Sequence, residues 1–264
     1  MIPKVIHYCW FGGNKKPKLI CDCIASWKKI LPDYEIIEWN EKNSDLTHEF
    51  VKEAYKLKKW AFVSDYIRLK ILYENGGIYL DTDMLVLKNF NNLLDSACFF
   101  GAEDNDFISC GIIGAEPNHF FIKKCLSFYD EFKFSKEINL GMNTIPRIIT
   151  EIFRKEFNFI LGFDKVLSFN GITIYPSIYF YALPFFKSEK KLNYNEFIDD
   201  KSLAIHLWNS SWIEYSEFHY IRSRQYSKGL NIVLVNILTK KKGSFKYFRK
   251  IVSCFKESIN YKNE

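Results

Sequence analysis

Asp81 and Asp83 flank a single threonine directly behind a short apolar, β-prone run, Ile78-Tyr79-Leu80. A second such run, Leu85-Val86-Leu87, follows them. Alternation along an extended backbone puts both carboxylates on one face. Two anionic oxygen donors at the end of a buried strand make a seat for a hard divalent cation that carries phosphates. Paired aspartates also occur in ordinary strand-end turns. Upstream stand Ser64, Asp65 and Arg68, with Asp65 and Arg68 three residues apart on one helical face. A surface ion pair at that spacing contributes little, but Phe62, Val63, Tyr66, Ile67 and Leu69 around it are too apolar for a solvated face. Three further groups carry potential chemistry. His7 and Trp10 close an apolar N-terminal run. His206 precedes a polar segment, Asn209-Ser210-Ser211-Trp212. A histidine at a strand end can ligate a metal through a neutral nitrogen. An aromatic at the carboxyl end of a strand can stack on a planar base. Taken alone, His7 and His206 read as structural histidines and the tryptophans as core.

The elements that must position these groups follow from periodicity and punctuation. Residues 61–74 lack Pro and Gly and repeat apolar residues at helical spacing, and Asn75-Gly76-Gly77 stops the helix. Strands are expected at 3–10, 34–39, 78–80, 85–87, 97–102 and 111–115, with a helix at 17–31 between Pro17 and Pro32. This β-turn-α-β opening suits a nucleotide-binding α/β half. It contains no Gly-x-Gly-x-x-Gly or Walker lysine loop. Further helices are expected at 43–59, 118–132 and 142–157, and a helical turn at 90–94. Asn170-Gly171 between 166–169 and 172–175 signals a hairpin. Residues 185–200 read as a polar, Lys-rich loop, followed by the strand carrying His206. Two helical patterns, 217–238 and 245–259, end the chain.

Residues 64–84, SDYIRLKILYENGGIYLDTDM, resemble the DXD region of retaining glycosyltransferase family 32. Bacterial capsular-polysaccharide glycosyltransferases belong to that family, and the large clostridial glucosylating toxins carry a similar block. Two other segments agree with the resemblance. The opening, Ile2-Pro3-Lys4-Val5-Ile6-His7 leading to Trp10 and Gly12, is similar to the family's Ile-Pro-Lys-x-Ile-His-x-x-Trp-x-Gly. The segment from Ile205-His206 to Ser211-Trp212 is similar to its Ile-His-x-x-x-x-Ser-Trp ending. Residues 109–114 are similar to the small-residue segment beside the sugar pocket, and residues 176–181, with Tyr175 before them, follow as the family's Tyr-Pro-Ser-x-Tyr-Phe segment. The resemblance implies a GT-A-type α/β domain, Rossmann-like with a mixed sheet flanked by helices, over residues 1–215. Residues 216–264 would form a helical, basic extension packed on or beside it.

The resemblance also implies roles. Asp83 would hold Mn2+ or Mg2+, with Asp81 through water and with His206 or Ser211. Asp65 and Arg68 would hold sugar hydroxyls, and Asp65, Arg68, Asp81 and Asp83 form the catalytic set. His7, Trp10, Ser64, Asp65, Arg68, Asp81, Ser211 and Trp212 would bind the donor, Trp10 by stacking on uracil and Ser211-Trp212 as a lid. The expected activity is retaining transfer from a nucleotide sugar, a UDP-hexose, to a glycan or lipid-linked acceptor in capsular or other surface polysaccharide synthesis. A toxin-like protein glycosyltransferase is the alternative in the same class. A metal-dependent phosphohydrolase using Asp81 and Asp83, or a non-catalytic sugar-binding module, is the alternative from another.

Length and composition fit one ordinary domain with an appendage: 264 residues, 48% apolar, 18% aromatic. An AT-biased genome accounts for the abundance of Phe, Tyr, Ile, Asn and Lys. The seven cysteines are scattered, and Cys21-Asp22-Cys23 lacks a second pair, so reduced thiols are expected rather than zinc. No apolar run reaches the ~18–20 residues that span a bilayer, and the N-terminal run reads as a strand, not a signal peptide. The expected location is cytoplasmic, peripheral at the inner face of the cell membrane. Lys240-Lys241-Lys242 and the lysines beyond read equally as a solvated basic face and as a membrane contact. Nothing calls for nucleic acid.

Overall fold

The computed structural model describes residues 1–132, 144–209, 217–222, 225–239 and 241–260. Strand β1 (Val5–Cys9), helix α1 (Lys18–Ile30) and strand β2 (Glu35–Trp39) form the expected β-α-β opening, with the strands parallel. Pro17 precedes α1 in an extended conformation, and Ile20, Cys23 and Trp27 bury one face of the helix. Helix α2 is Glu49–Lys56, shorter than the 43–59 expected. The Asp45 carboxylate accepts from the Thr47 amide and hydroxyl at 2.9 and 2.6 Å, a side-chain turn that competes with helix. Lys58, at φ 56°, ends it. Helix α3 (Trp60–Asn75) stops at Gly76, whose φ of 66° favours glycine.

Strands β3 (Gly77–Leu80), β4 (Met84–Val86), β5 (Cys98–Ala102) and β6 (Ile108–Ala115) follow. Helices α4 (Phe120–Glu131) and α5 (Ile145–Phe157) come next, then the hairpin β7 (Leu167–Phe169) and β8 (Ile172–Tyr175), and finally β9 (Ala204–His206). The first two positions of the helix expected at 142–157 lie outside the described residues. Asn170 and Gly171 both take positive φ, 45° and 80°, the turn that matches strand twist. The segment read as a loop at 185–200 winds into 3₁₀ turns over Phe185–Glu196, broken at Lys187 and Asn193.

Seven strands form one mixed sheet in the order β2-β1-β3-β6-β5-β8-β7, and β4 and β9 form a separate antiparallel pair. Period-two alternation splits the core. Tyr79, Phe100 and Ile113 face a cluster with Phe62, Val63, Phe121 and Phe153 from α3, α4 and α5. Ile78, Leu80, Phe99 and Ile112 face Trp27 of α1, Phe90 and Phe180. This is the helix-flanked mixed α/β sheet expected from the sequence.

The chain separates into two compact units, Met1–Asn209 and Ser210–Glu264. The second has its own small core of Ile221, Val233, Tyr247, Ile251 and Cys254. Its helices are α6 (Glu217–Arg222), α7 (Tyr226–Leu238) and α8 (Phe245–Asn260), so the pattern at 217–238 is two helices rather than one. Among the described residues no helix is long and apolar enough to cross a membrane. All seven cysteines are free.

Candidate active site

Asp81 emerges from the carboxyl end of β3 with its amide bonded to the Gly111 carbonyl at 2.7 Å. The chain then turns, the Met84 amide donating to the Asp81 carbonyl at 3.0 Å. The two aspartates converge through this turn and not through strand alternation. Met84 opens β4, which pairs with β9 so that Met84 stands opposite His206. That register delivers a histidine 123 residues away to Asp83, with Nε2 3.0 Å from Oδ1. The other oxygen of Asp83 accepts from the Asn209 amide at 2.7 Å. One donor atom each from Asp81, Asp83 and His206 lies within 4.8 Å of the others.

Asp83 and His206 are both buried. Burial pushes the Asp83 carboxyl up, but the charge and hydrogen bond of His206 and the amide of Asn209 hold it below the usual carboxylate range. Burial alone would lower His206, and the Asp83 carboxylate raises it above its ordinary value. His206 Nδ1 is buried with no hydrogen-bond partner among the described residues. Two carboxylates and one imidazole, whose buried Nδ1 has no partner among the described residues, fit a hard to borderline divalent cation.

Behind this group lies Arg68 of α3, buried and engaged by every arm. Its guanidinium contacts Asp65 at 3.0 Å and Asp81 at 3.2 Å. It donates to the carbonyls of Cys110 at 2.7 Å and Ser64 at 3.2 Å, and lies 4.5 Å over the Tyr79 ring. Tyr79 donates to the same Asp81 oxygen at 3.1 Å. Burial pushes the Asp65 carboxyl up to about 7 despite Arg68 beside it. The Ser64 hydroxyl donates to the Trp60 carbonyl at 3.0 Å. Gly111 forms the floor: a Cβ there would sit 3.0 Å from the Tyr181 hydroxyl and 3.2 Å from Asp81 Oδ2.

The structure uses His7 differently from the donor contact expected of it. Nε2 lies 2.9 Å from the Gly76 carbonyl, and Nδ1 accepts from Trp39 Nε1 at 3.1 Å. Both ring nitrogens are spent, Nε2 on the turn that ends α3 and Nδ1 on Trp39 of the neighbouring strand β2. Burial lowers its pKa from 6.5 to about 4. The unfolded chain therefore takes up a proton that the native state resists, and stability falls as pH drops from 6.5 toward 4. The loss at pH 4.5 is on the order of 2–3 kcal/mol. Denaturant unfolding at pH 7 and 4.5 should show an acid-induced loss smaller by about that amount in His7→Gln. An equal loss in both proteins would contradict the buried neutral imidazole.

Trp10 is half-buried, its Nε1 donating to the Asn14 carbonyl at 2.7 Å and Lys16 lying 5.4 Å over its ring. Ser211 and Trp212 lie outside the described residues. Three groups went unassigned at the sequence level. The Tyr181 hydroxyl accepts from the Ile112 amide at 3.0 Å, and its ring meets His206 edge-on at 5.6 Å. Trp208 packs 4.0 Å from His206 and donates to the Leu183 carbonyl at 2.6 Å. Glu103, directly behind β5, bonds Ser109, and burial raises its pKa despite the nearby charge of His206. An acid immediately after a buried strand was the available signal for Glu103.

Residues 17–100 match the family model described as "Glycosyltransferase sugar-binding region containing DXD motif". This DXD region contains Ser64, Asp65, Arg68, Asp81 and Asp83, and excludes Trp10 and His206. The chain is 28% identical over 190 residues to lactosylceramide 4-alpha-galactosyltransferase of Mus musculus, covering 69% of this chain and 48% of that protein. It is 28% identical over 175 residues to mannosyl phosphorylinositol ceramide synthase SUR1 of Saccharomyces cerevisiae, covering 59% and 42%. The chain thus spans less than half the length of these relatives. A solved structure, PaToxG glycosyltransferase, aligns with a TM-score of 0.48 at 20% identity, covering 60% of this chain and 70% of that one.

Proposed function

We propose that this chain is a divalent-metal-dependent, retaining glycosyltransferase that moves a hexose from a UDP-hexose to a glycan or lipid-linked acceptor in surface polysaccharide synthesis. The observation that carries the reading is the convergence of His206 on Asp81 and Asp83 of the matched DXD region, backed by the Asp65–Arg68 pair. Asp81, Asp83 and His206 would hold Mn2+ or Mg2+, which when bound stabilises the charge growing on the departing diphosphate. Arg68, pinned by Asp65 and Asp81, keeps Asp65 turned toward sugar hydroxyls and neutralises two carboxylates that would otherwise repel an anionic donor. Trp10, at the end of β1, supplies a stacking face for the base.

The bond from the anomeric carbon to the diphosphate oxygen breaks, with its electron pair going to that oxygen. The acceptor hydroxyl oxygen bonds the anomeric carbon on the same face, and its proton passes to the departing oxygen. Asp65 and Asp81 are held by Arg68 and Asp83 by His206, which favours this route over a covalent carboxylate intermediate. The two curated relatives are named for ceramide-based acceptors or products, which supports a lipid-linked acceptor over a protein one.

A panel of sugar nucleotides with Mn2+ tests the reading. One UDP-hexose should release UDP slowly without acceptor and faster with it, and EDTA should stop both. Hydrolysis of simple phosphate esters in place of UDP release would instead establish a phosphohydrolase.

A further inference from the structure

Net positive charge is confined to one end of the chain. Ser210–Glu264 carries eleven Lys and Arg against four Glu, a net +7, whereas the other 209 residues carry 26 against 27 and total −1. The helices of this unit turn one face inward. Val233 of α7 and Tyr247, Ile251 and Cys254 of α8 close its small core. Each helix keeps a second apolar stripe outside that core. On α7, Leu230, Leu234, Ile237 and Leu238 fall at i, i+4, i+7 and i+8, on one face, with Leu234 55% and Leu238 79% exposed. On α8, Phe245, Phe248 and Val252 fall at i, i+3 and i+7, and Phe245 is 80% exposed. Lys246, Arg249 and Lys256 border the α8 stripe, exposed and without an acidic partner among the described residues.

We infer that these two helical faces form a docking surface for an anionic lipid bilayer. A protein core would match the leucine and phenylalanine stripe but not the lysines and arginine along its edge. Nucleic acid would match the cations but not the apolar stripe. A bilayer interface with acidic headgroups satisfies both: the apolar side chains enter the acyl boundary, and the cations stay among the phosphates. Among the described residues of this unit no helix is long and apolar enough to cross a membrane, and an attachment made by these two faces is peripheral and salt-sensitive. This surface is independent of the transferase reading, since none of its residues belongs to the Asp81, Asp83 and His206 group.

The test is co-sedimentation of the full chain with vesicles of phosphatidylcholine alone or containing a third phosphatidylglycerol. Binding to the acidic vesicles should be at least about tenfold stronger, and most of it should be lost in 0.5 M salt. Leu234→Gln with Leu238→Gln, and separately Lys246→Glu with Arg249→Glu and Lys256→Glu, should each weaken it about tenfold or more. Both sets lie at exposed positions, and an unchanged helical circular dichroism signal with an unchanged melting curve verifies that the variants are folded. Equal binding to both vesicle types, or acidic-vesicle binding unchanged in both variants, overturns the inference. Absence of vesicle binding overturns it as well. In that case light scattering distinguishes a dimer, with the stripe covered by a second copy, from a monomer.

Discussion

Asp83→Asn leaves the protein folded and weakens Mn2+ binding by at least about 100-fold, because a direct ligand should matter more than the outer-shell partners whose loss costs ~10–100-fold. The substitution keeps the shape of the side chain and one acceptor oxygen. It removes the charge that holds His206 and leaves either His206 or the Asn209 amide less well bonded. The expected loss of stability is about 1–3 kcal/mol. Asp83→Ala should cost more, since it strands both donors in a buried site. Titration calorimetry and urea unfolding on the same samples separate the two effects. Full Mn2+ affinity in a folded Asp83→Asn protein would exclude Asp83 as a ligand.

Arg68→Met destabilises the protein by about 3–5 kcal/mol in urea titrations. The size follows from what Arg68 holds. Its side chain is 6% exposed, and its partners Asp65 and Asp81 are 10% and 28% exposed. Removing the cation leaves Asp65 and Asp81 without their shared partner and strips a donor from the Cys110 carbonyl. Arg68→Lys should recover little, because an ammonium cannot serve two carboxylates and two carbonyls in one plane. The double variant Arg68→Met with Asp65→Asn should regain about 1–2 kcal/mol over Arg68→Met, since one uncompensated charge is gone. No regain would mean that Arg68 stabilises the fold through packing on Tyr79 rather than through the two aspartates.

What the sequence made legible was local. The helix over residues 61–74, its glycine stop and the strand before Asp81 are each written in a few consecutive residues, and the structure has them within a residue or two. The convergence of Asp81 with Asp83 was also legible, although a turn and not strand alternation produces it. What stayed hidden depends on long-range register. The resemblance put His206 with Asp83, but the pairing of β4 with β9 that brings them together, with Met84 opposite His206, is announced by no periodicity. Arg68 read as half of an ion pair, while its second carboxylate and the Cys110 carbonyl arrive from β3 and β6. His7 illustrates the converse. A motif position suggested ligand contact, yet its neighbours Gly76 and Trp39 take both nitrogens. The helix expected at 43–59 began late because Asp45 satisfies the backbone locally, a competition that apolar spacing does not record.

The central claim is that Asp81, Asp83 and His206 jointly seat a divalent cation which in turn carries a nucleotide diphosphate. Paramagnetic resonance of Mn2+ titrated into the full chain, with and without UDP, tests it most directly. One Mn2+ per chain should bind, UDP should tighten it, and by linkage Mn2+ should tighten UDP by the same factor. Both effects should vanish in Asp83→Asn and in His206→Ala. Mn2+ and UDP that bind without influencing each other, or a Mn2+ signal unchanged in those two variants, would contradict the account.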